Sequence, residues 1–224
     1  MTQSKIILTG YGPFRDITEN PSEVIAKQVS AKIQNPSSKL HSVFTSVVDR
    51  TIAVSHKGLD AFYEEGVLND PQVTHIVHVG VAAGVQKLHL ETIAFNVKAE
   101  SAVLLARVNE DQEFTDDKQN EQVTVVPIDE SNDALQLLPS TFDLNHPRFH
   151  RFVQRNASCV TWSRDAGTYF CNEIYYRTLL NVTKEEEGEA FKKVIFVHVP
   201  LPEVLSEEQC AELIVQFLEV DAGL

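Results

Sequence analysis

Short apolar segments that resemble strands alternate with helix-like segments along most of this chain, and this alternation restricts the possible folds strongly. Residues 5–9, 75–80 and 194–199 are rich in aliphatic and β-branched side chains, as expected of buried strands. Residues 20–23, Asn-Pro-Ser-Glu, have the composition of a helix start, with a capping Asn, Pro at the first helical position and Glu three residues after the cap. Strands separated by helices favour an α/β fold, an open sheet with helices on both faces.

The same patterns predict an order of elements. Helices are predicted at residues 20–33, 50–65, 147–155, 172–181 and 207–219, and strands at residues 5–9, 41–48, 75–80, 88–97, 123–128, 159–162 and 194–199. The polar residues 100–120 are predicted to form a surface loop, which could cover a site. We expect one domain over residues 1–224, because the length suits a single large domain and no repeat or linker interrupts it.

The cysteine content indicates a reducing compartment. Cys159, Cys171 and Cys210 have no disulfide-like spacing. No segment approaches the roughly 18 apolar residues that a membrane span requires. The first residues also lead directly into a strand-like segment instead of a signal sequence. We therefore expect a cytoplasmic protein that has no membrane partner.

Charge and histidine spacing exclude two classes of ligand. The formal net charge is −13 and the 19 Lys and Arg residues are scattered, which argues against a nucleic-acid partner. His75 and His78 would face opposite sides of a strand, and the pair His146 and His150 lacks a third ligand, so no metal site is expected. The sequence is compatible with a monomer or a homo-oligomer.

One cysteine lies where a tight turn is predicted to lead into a helix. Cys171 is the ninth residue of the segment Ser-Arg-Asp-Ala-Gly-Thr-Tyr-Phe-Cys-Asn, residues 163–172. The first N–H groups of a helix are unpaired and carry partial positive charge, which favours a thiolate nucleophile. A lone cysteine beside aromatic residues is nevertheless more often a small buried hydrophobic side chain.

Two other residues have the chemistry to assist Cys171. His198 lies near the carboxyl end of an apolar predicted strand, the end where open α/β sheets bind ligands. Glu91 shares a strand face with His89 and could be a solvated charge or a partly buried carboxylate with a partner. Cys171, His198 and Glu91 together have the composition of a nucleophile, a base and an orienting acid.

Four segments resemble the pyroglutamyl-peptidase I family of cysteine peptidases. They are residues 8–14 with residues 20–22, residues 77–80 followed by Glu91, residues 163–172, and residues 196–200. The resemblance implies a three-layer α/β/α sandwich around an open, mostly parallel twisted sheet. It also implies hydrolytic removal of an N-terminal pyroglutamyl residue from peptides by a triad of Cys171, His198 and Glu91, with no metal or organic cofactor.

The resemblance also implies residues that contact the substrate. Pyroglutamate is compact and uncharged, so its site should be an apolar slot with a few backbone hydrogen bonds. Aromatic side chains that match the family motifs would hold the lactam ring, although core packing is an equally good explanation for each of them. The residues at matching positions are Tyr11, Phe14, Asn20, Tyr169 and Phe170.

The chain departs from the family pattern at three places. Tyr11 stands where many members have phenylalanine, and Arg15 stands where glycine is common. Many bacterial members carry an arginine shortly after the glutamate, whereas here the next arginine after Glu91 is Arg107, and Lys98 is a loose substitute. Two alternatives stay open, a non-catalytic member that binds blocked peptides without cleaving them and, by fold analogy alone, a nucleoside phosphorylase.

Overall fold

The computed structural model describes residues 4–14, 17–100, 124–133, 135–183 and 191–224. The strands are β1 (Lys5–Tyr11), β2 (Ser46–Ile52), β3 (Val73–Val81), β4 (Leu88–Glu91), β5 (Ile93–Phe95), β6 (Lys98–Glu100), β7 (Thr124–Val126), β8 (Leu137–Pro139), β9 (Val160–Ser163) and β10 (Lys193–Val199). The helices are α1 (Pro21–Gln34), α2 (His56–Glu64), α3 (Pro147–Arg155), α4 (Phe170–Thr183) and α5 (Glu207–Ala222). Residues 101–120 of the predicted loop, which include Arg107, lie outside the described residues.

A six-stranded sheet forms the centre of the molecule, in the order β2-β1-β3-β10-β4-β9. Its neighbouring strands run parallel except for the pair β10 and β4, which is antiparallel. The short strands pair separately, β5 with β8 and β6 with β7. The prediction of a mostly parallel sheet is confirmed.

Apolar side chains cover both faces of this sheet. One core cluster combines alternate residues of the central strands with buried side chains of α1, α3 and α5, and the other combines the remaining strand residues with α2 and α4. In β1, Ile6 and Leu8 belong to the first cluster and Ile7 to the second, as the two-residue period of a strand requires. The three-layer sandwich is therefore present. No helix within the described ranges is both long and apolar enough to cross a membrane.

Elements with strong local signals lie where the sequence predicts them. The Asn20 side chain caps α1 by accepting a hydrogen bond from the Ser22 N–H at 3.1 Å, and Pro21 begins the helix. Helix α3 has the predicted bounds. Helix α5 begins with a capping box between Ser206 and Gln209.

Three predicted elements are wrong in their bounds. The second strand is not at residues 41–48, because a 3₁₀ turn occupies Lys39–Ser42 and β2 begins only at Ser46. The helix predicted at residues 50–65 is shorter because β2 continues to Ile52, and Ser55 caps α2 by accepting from the Gly58 N–H at 3.0 Å. The strand predicted at residues 88–97 is divided at Thr92, whose N–H donates to the carbonyl of Ser163 at 2.8 Å.

Close backbone contact fixes the loop between β1 and α1. A Cβ atom on Gly10 would lie 2.3 Å from the carbonyl oxygen of Ser22, so only glycine fits there. The Tyr11 N–H donates to the Ser22 hydroxyl at 2.9 Å, and the Asn20 amide donates to the Gly12 carbonyl at 3.0 Å. These bonds hold the end of β1 against the start of α1.

Candidate active site

The turn before α4 places Cys171 at the amino end of that helix. Gly167 has φ of +76°, and its N–H donates to the Asp165 carboxylate at 3.0 Å, which closes the turn. Cys171 is the second residue of α4 and is half-buried. A Cβ atom on Gly80 would lie 3.0 Å from its sulfur, so the absence of a side chain at Gly80 makes room for the thiol.

The histidine and the glutamate approach each other through the strand register. His198 lies opposite Gly80 in the parallel pair β10 and β3, at the carboxyl ends of both strands. Glu91 ends β4, which runs antiparallel to β10. The Nδ1 atom of His198 lies 2.8 Å from Oε1 of Glu91, and Glu91 is completely buried.

The second oxygen of Glu91 reaches the turn that leads to the cysteine. Its Oε2 accepts a hydrogen bond from the backbone N–H of Asp165 at 3.2 Å. The backbone carbonyl of Glu91 also accepts from the hydroxyl of Tyr175, one turn after Cys171 in α4, at 2.9 Å. Glu91 therefore connects β4 both to the imidazole and to the segment that carries the thiol.

The surroundings of His198 favour the imidazolium. Burial alone lowers its pKa, but hydrogen bonds and charge from Cys171 and Glu91 outweigh burial and raise the pKa of His198 to about 9. Burial lowers the pKa of His89, on the neighbouring strand, and the charge of His198 lowers it further, while Glu91 opposes both effects. Of the two histidines, His198 alone is placed to hold a proton between the thiol and the carboxylate.

Two of the predicted aromatic residues, Tyr11 and Phe170, contact each other beside Cys171. Tyr11 is buried, and its hydroxyl donates to the backbone carbonyl of Phe170 at 2.9 Å. Phe170 is buried and packs edge-on against His56, with ring centroids 5.1 Å apart. Tyr169 is 51% exposed just before α4. Phe14 is half-buried in the loop after β1 and forms a short bridge with Ile17.

Asn20 is buried, and both ends of its amide are engaged within the loop. Its oxygen accepts from the N–H and the hydroxyl of Ser22, and its nitrogen donates to the carbonyl of Gly12. The structure therefore gives Asn20 a role in holding the β1–α1 loop, and a substrate contact by Asn20 stays a prediction.

Sequence reasoning missed two residues that build this site. Asn172 is buried and forms three hydrogen bonds with the backbone of Phe95 and Val97 at 2.8 to 3.0 Å, which fastens the start of α4 to β5. The ring of Phe196 lies 4.7 Å from the imidazole of His198, measured between centroids. A polar residue beside a cysteine that begins a helix was the available signal for Asn172.

A cleft lies elsewhere on the described part of the chain, and none of Cys171, His198 and Glu91 lines it. It has a volume of about 600 Å³ and lies along the side of α4 that carries Glu173 and Arg177. Glu173 is buried there and forms ion pairs with the more exposed His56 and Arg177. Within the described ranges, no group of three or more His, Cys, Asp or Glu side chains could hold a metal ion.

A family model described as pyroglutamyl peptidase matches residues 4–136. The match covers more than half of the chain, from the start of β1 to the residue before β8, and includes Glu91. The protein is therefore a peptidase of the cysteine omega-peptidase class. It belongs to the pyroglutamyl peptidase family.

Curated relatives extend the similarity beyond the matched residues. The pyrrolidone-carboxylate peptidase of Fusobacterium nucleatum is 26% identical over 200 residues, which is 89% of this chain and 79% of the relative. A pyrrolidone-carboxylate peptidase of Bacillus cereus is 24% identical over 203 residues, 90% of this chain and 81% of the relative.

Solved structures share the fold at low identity. Pyroglutamyl peptidase I of Bacillus amyloliquefaciens superimposes with a TM-score of 0.65 at 20% identity, over 98% of this chain and 95% of the other. Pyrrolidone carboxyl peptidase of Fervidobacterium islandicum gives a TM-score of 0.68 at 20% identity over 97% of both chains. The expected α/β fold is thereby confirmed.

Proposed function

We propose that this peptidase hydrolyses the bond after an N-terminal pyroglutamyl residue, with Cys171 as nucleophile, His198 as base and Glu91 as orienting acid. The main support is the buried contact of 2.8 Å between His198 Nδ1 and Glu91 Oε1, beside a cysteine at the start of α4. Glu91 occupies Nδ1 and leaves Nε2 of the imidazole to face the sulfur.

Each group has one role in the proposed reaction. The Cys171 sulfur attacks the carbonyl carbon of the pyroglutamyl group, and the thiol proton passes to Nε2 of His198. The resulting imidazolium is stabilised by Glu91 and later donates this proton to the leaving amine, which produces a thioester. Water then attacks the thioester, gives a proton to His198 and releases pyroglutamate, and the proton returns to the sulfur.

The backbone at the start of α4 would stabilise the oxyanion. The first N–H groups of a helix have no partner within the helix and point out of its end, where the helix dipole is positive. Cys171 lies in this first turn. Its own N–H can donate to an oxyanion formed next to its sulfur, so the chain need not supply an arginine for that purpose.

The proposed substrate site is formed by aromatic residues around the thiol. Tyr11 and Phe170 are buried, and the Tyr11 hydroxyl bonds to the Phe170 carbonyl next to Cys171, whereas Tyr169 and Phe14 are more exposed. An apolar slot lined by such side chains would suit an uncharged lactam ring better than a free α-ammonium group. We therefore propose peptides with N-terminal pyroglutamate as the substrates.

We also propose a cellular location, a class of partner and a domain organisation for this enzyme. Three free cysteines support a reducing, cytoplasmic location. The net charge of −13 argues against nucleic acid as a partner. Two cores that share one sheet support a single catalytic domain over residues 1–224.

A chromogenic pyroglutamyl amide tests the proposal. We expect wild-type protein to cleave it, and Cys171→Ala and His198→Ala to lose activity by roughly a thousandfold or more. Cys159→Ala is the matched control, because this half-buried cysteine lies just before β9 and should not affect the rate. Equal rates for wild type and Cys171→Ala would refute the triad. A pyroglutamyl peptide that binds but stays intact by mass spectrometry would instead favour the non-cleaving alternative.

A further inference from the structure

The hydroxyl of Tyr11 lies next to the segment that carries Cys171. Tyr11 ends β1 and is almost completely buried. Its hydroxyl donates to the backbone carbonyl of Phe170 at 2.9 Å, and Cys171 is the next residue in the chain. The polar end of the ring is thus fixed at the start of α4, beside the residue that carries the thiol, and Cys171 influences this hydroxyl electrostatically.

The same surroundings keep this hydroxyl protonated. Burial and the negative charge of Cys171 raise the pKa of Tyr11 well above its ordinary value. Tyr11 therefore remains a donor through the whole pH range in which a thiol ionises, and it cannot act as a base toward Cys171.

We propose that the Tyr11 hydroxyl is a second hydrogen-bond donor to the Cys171 thiolate and moves to the sulfur from the Phe170 carbonyl when the thiol ionises. When the thiol proton transfers to His198, the sulfur becomes an anionic acceptor and competes with a neutral carbonyl. Rotation about the C–O bond of the phenol is the only movement required, and Tyr11 neither gains nor loses a proton. This inference rests on the proposed role of Cys171 as nucleophile.

The hydrogen bond from Tyr11 would stabilise the thiolate before it attacks and would be lost once the thioester forms. A hydrogen bond to the charged form of an acid favours that form, so a Tyr11 donor would stabilise the Cys171 thiolate. Formation of the thioester removes the negative charge from the sulfur, and the hydroxyl can return to the carbonyl of Phe170. A purely structural Tyr11 would hold this carbonyl in every state and leave the ionisation of Cys171 unaffected.

The pH dependence of Cys171 alkylation distinguishes these two roles. Iodoacetamide labelling, read at Cys171 by peptide mass spectrometry, gives the pH at which the thiolate forms. We expect Tyr11→Phe to shift this midpoint upward and to slow labelling at pH 6 by roughly three- to tenfold. Tyr63→Phe is the matched control, since the hydroxyl of the partly buried Tyr63 donates to the Ile174 carbonyl of the same helix at 2.9 Å.

A second variant covers the case in which Tyr11→Phe does not fold. Site-specific 3-fluorotyrosine at position 11 retains the hydroxyl and makes it a stronger donor, so the midpoint should move downward. A midpoint that is equal in wild type, Tyr11→Phe and the fluorinated protein would overturn the inference. Labelling requires no peptide cleavage. A shifted midpoint in a protein that leaves pyroglutamyl amides intact would therefore retain the role of Tyr11 and refute the proposed activity instead.

Discussion

The backbone N–H of Asp165 donates a hydrogen bond to Oε2 of Glu91, while the other oxygen of this carboxylate faces His198. Asp165 lies in the turn that leads to Cys171. One buried carboxylate therefore sets both the orientation of the imidazole and the position of the segment that carries the thiol. A substitution of Glu91 should consequently affect the ionisation of His198 and the placement of the turn together.

Glu91→Gln tests the effect of this carboxylate on the imidazole. The glutamine can still accept from Nδ1, but it lacks the negative charge that helps raise the pKa of His198 to about 9. We expect the pKa of His198 to fall, measured by NMR of labelled histidine, and activity to drop by roughly 100-fold, less than for Cys171→Ala. Glu64→Gln, on the exposed side of α2, should change neither quantity. An unchanged pKa of His198 would contradict the role of Glu91.

The elements that could be predicted from the sequence are those with local signals. The start of α1 follows from Asn20 and Pro21, whose effects extend over one helical turn. The central strands β3 and β10 are long apolar runs that are buried on both faces. These features depend little on the rest of the chain.

The errors concern residues whose structure depends on distant contacts. Strand β2 is an edge strand of mostly half-exposed residues, so its apolar pattern is weak. The break after β4 depends on bonds from Thr92 to Ser163, 71 residues later in the chain. In the site, motif resemblance suggested Cys171, His198 and Glu91, but no local pattern places the Tyr11 hydroxyl on a residue 159 positions away.

The raised pKa of His198 predicts a specific pH dependence of stability. The folded protein holds this proton more tightly than the unfolded chain, in which histidine titrates near 6.5. The resulting stabilisation is complete below pH 6.5 and is lost as the pH rises through about 9. His198→Gln lacks this contribution.

Urea unfolding of both proteins between pH 6 and pH 9.5 measures this effect. We expect the free energy of unfolding of wild type, relative to His198→Gln, to decrease by roughly 1–3 kcal/mol across this range. Groups that do not interact with His198 cancel in the difference, whereas Cys171 and Glu91, which raise its pKa, contribute to it. A difference that is constant with pH would contradict a raised pKa for His198.

Gly80→Ala should displace the thiol without altering any reacting group. The added Cβ would lie 2.7 Å from Cζ of Phe196 and 3.0 Å from the sulfur of Cys171. Phe196 is completely buried and cannot easily move away. We expect a loss of about 1–3 kcal/mol in stability from overpacking, and a decrease of roughly tenfold or more in the alkylation rate of Cys171 and in activity.

The matched control for this steric prediction is Gly84→Ala. Gly84 is exposed after β3, and a Cβ there would meet no atom within 4 Å. It should leave stability, alkylation and activity unchanged. If Gly80→Ala behaves like Gly84→Ala in all three measurements, the sulfur does not lie against the end of β3.

Asn172→Ala should loosen the attachment of α4 to β5. The Asn172 oxygen accepts from the Phe95 N–H at 3.0 Å, and its nitrogen donates to the carbonyls of Phe95 and Val97 at 2.8 Å each. Alanine leaves these backbone groups without that partner inside the protein, so we expect the free energy of unfolding to fall by about 2–4 kcal/mol.

Asn172→Asp can retain the accepted bond but loses both donated bonds, and it should also be destabilised. Asn181→Ala is the control, because its bond to the Arg177 carbonyl is exposed and should be worth less than about 0.5 kcal/mol. Because Asn172 directly follows Cys171, the alkylation rate of Cys171 should also fall in Asn172→Ala and stay constant in Asn181→Ala. Equal stabilities of these two alanine variants in urea would show that the amide does not anchor the helix that carries the thiol.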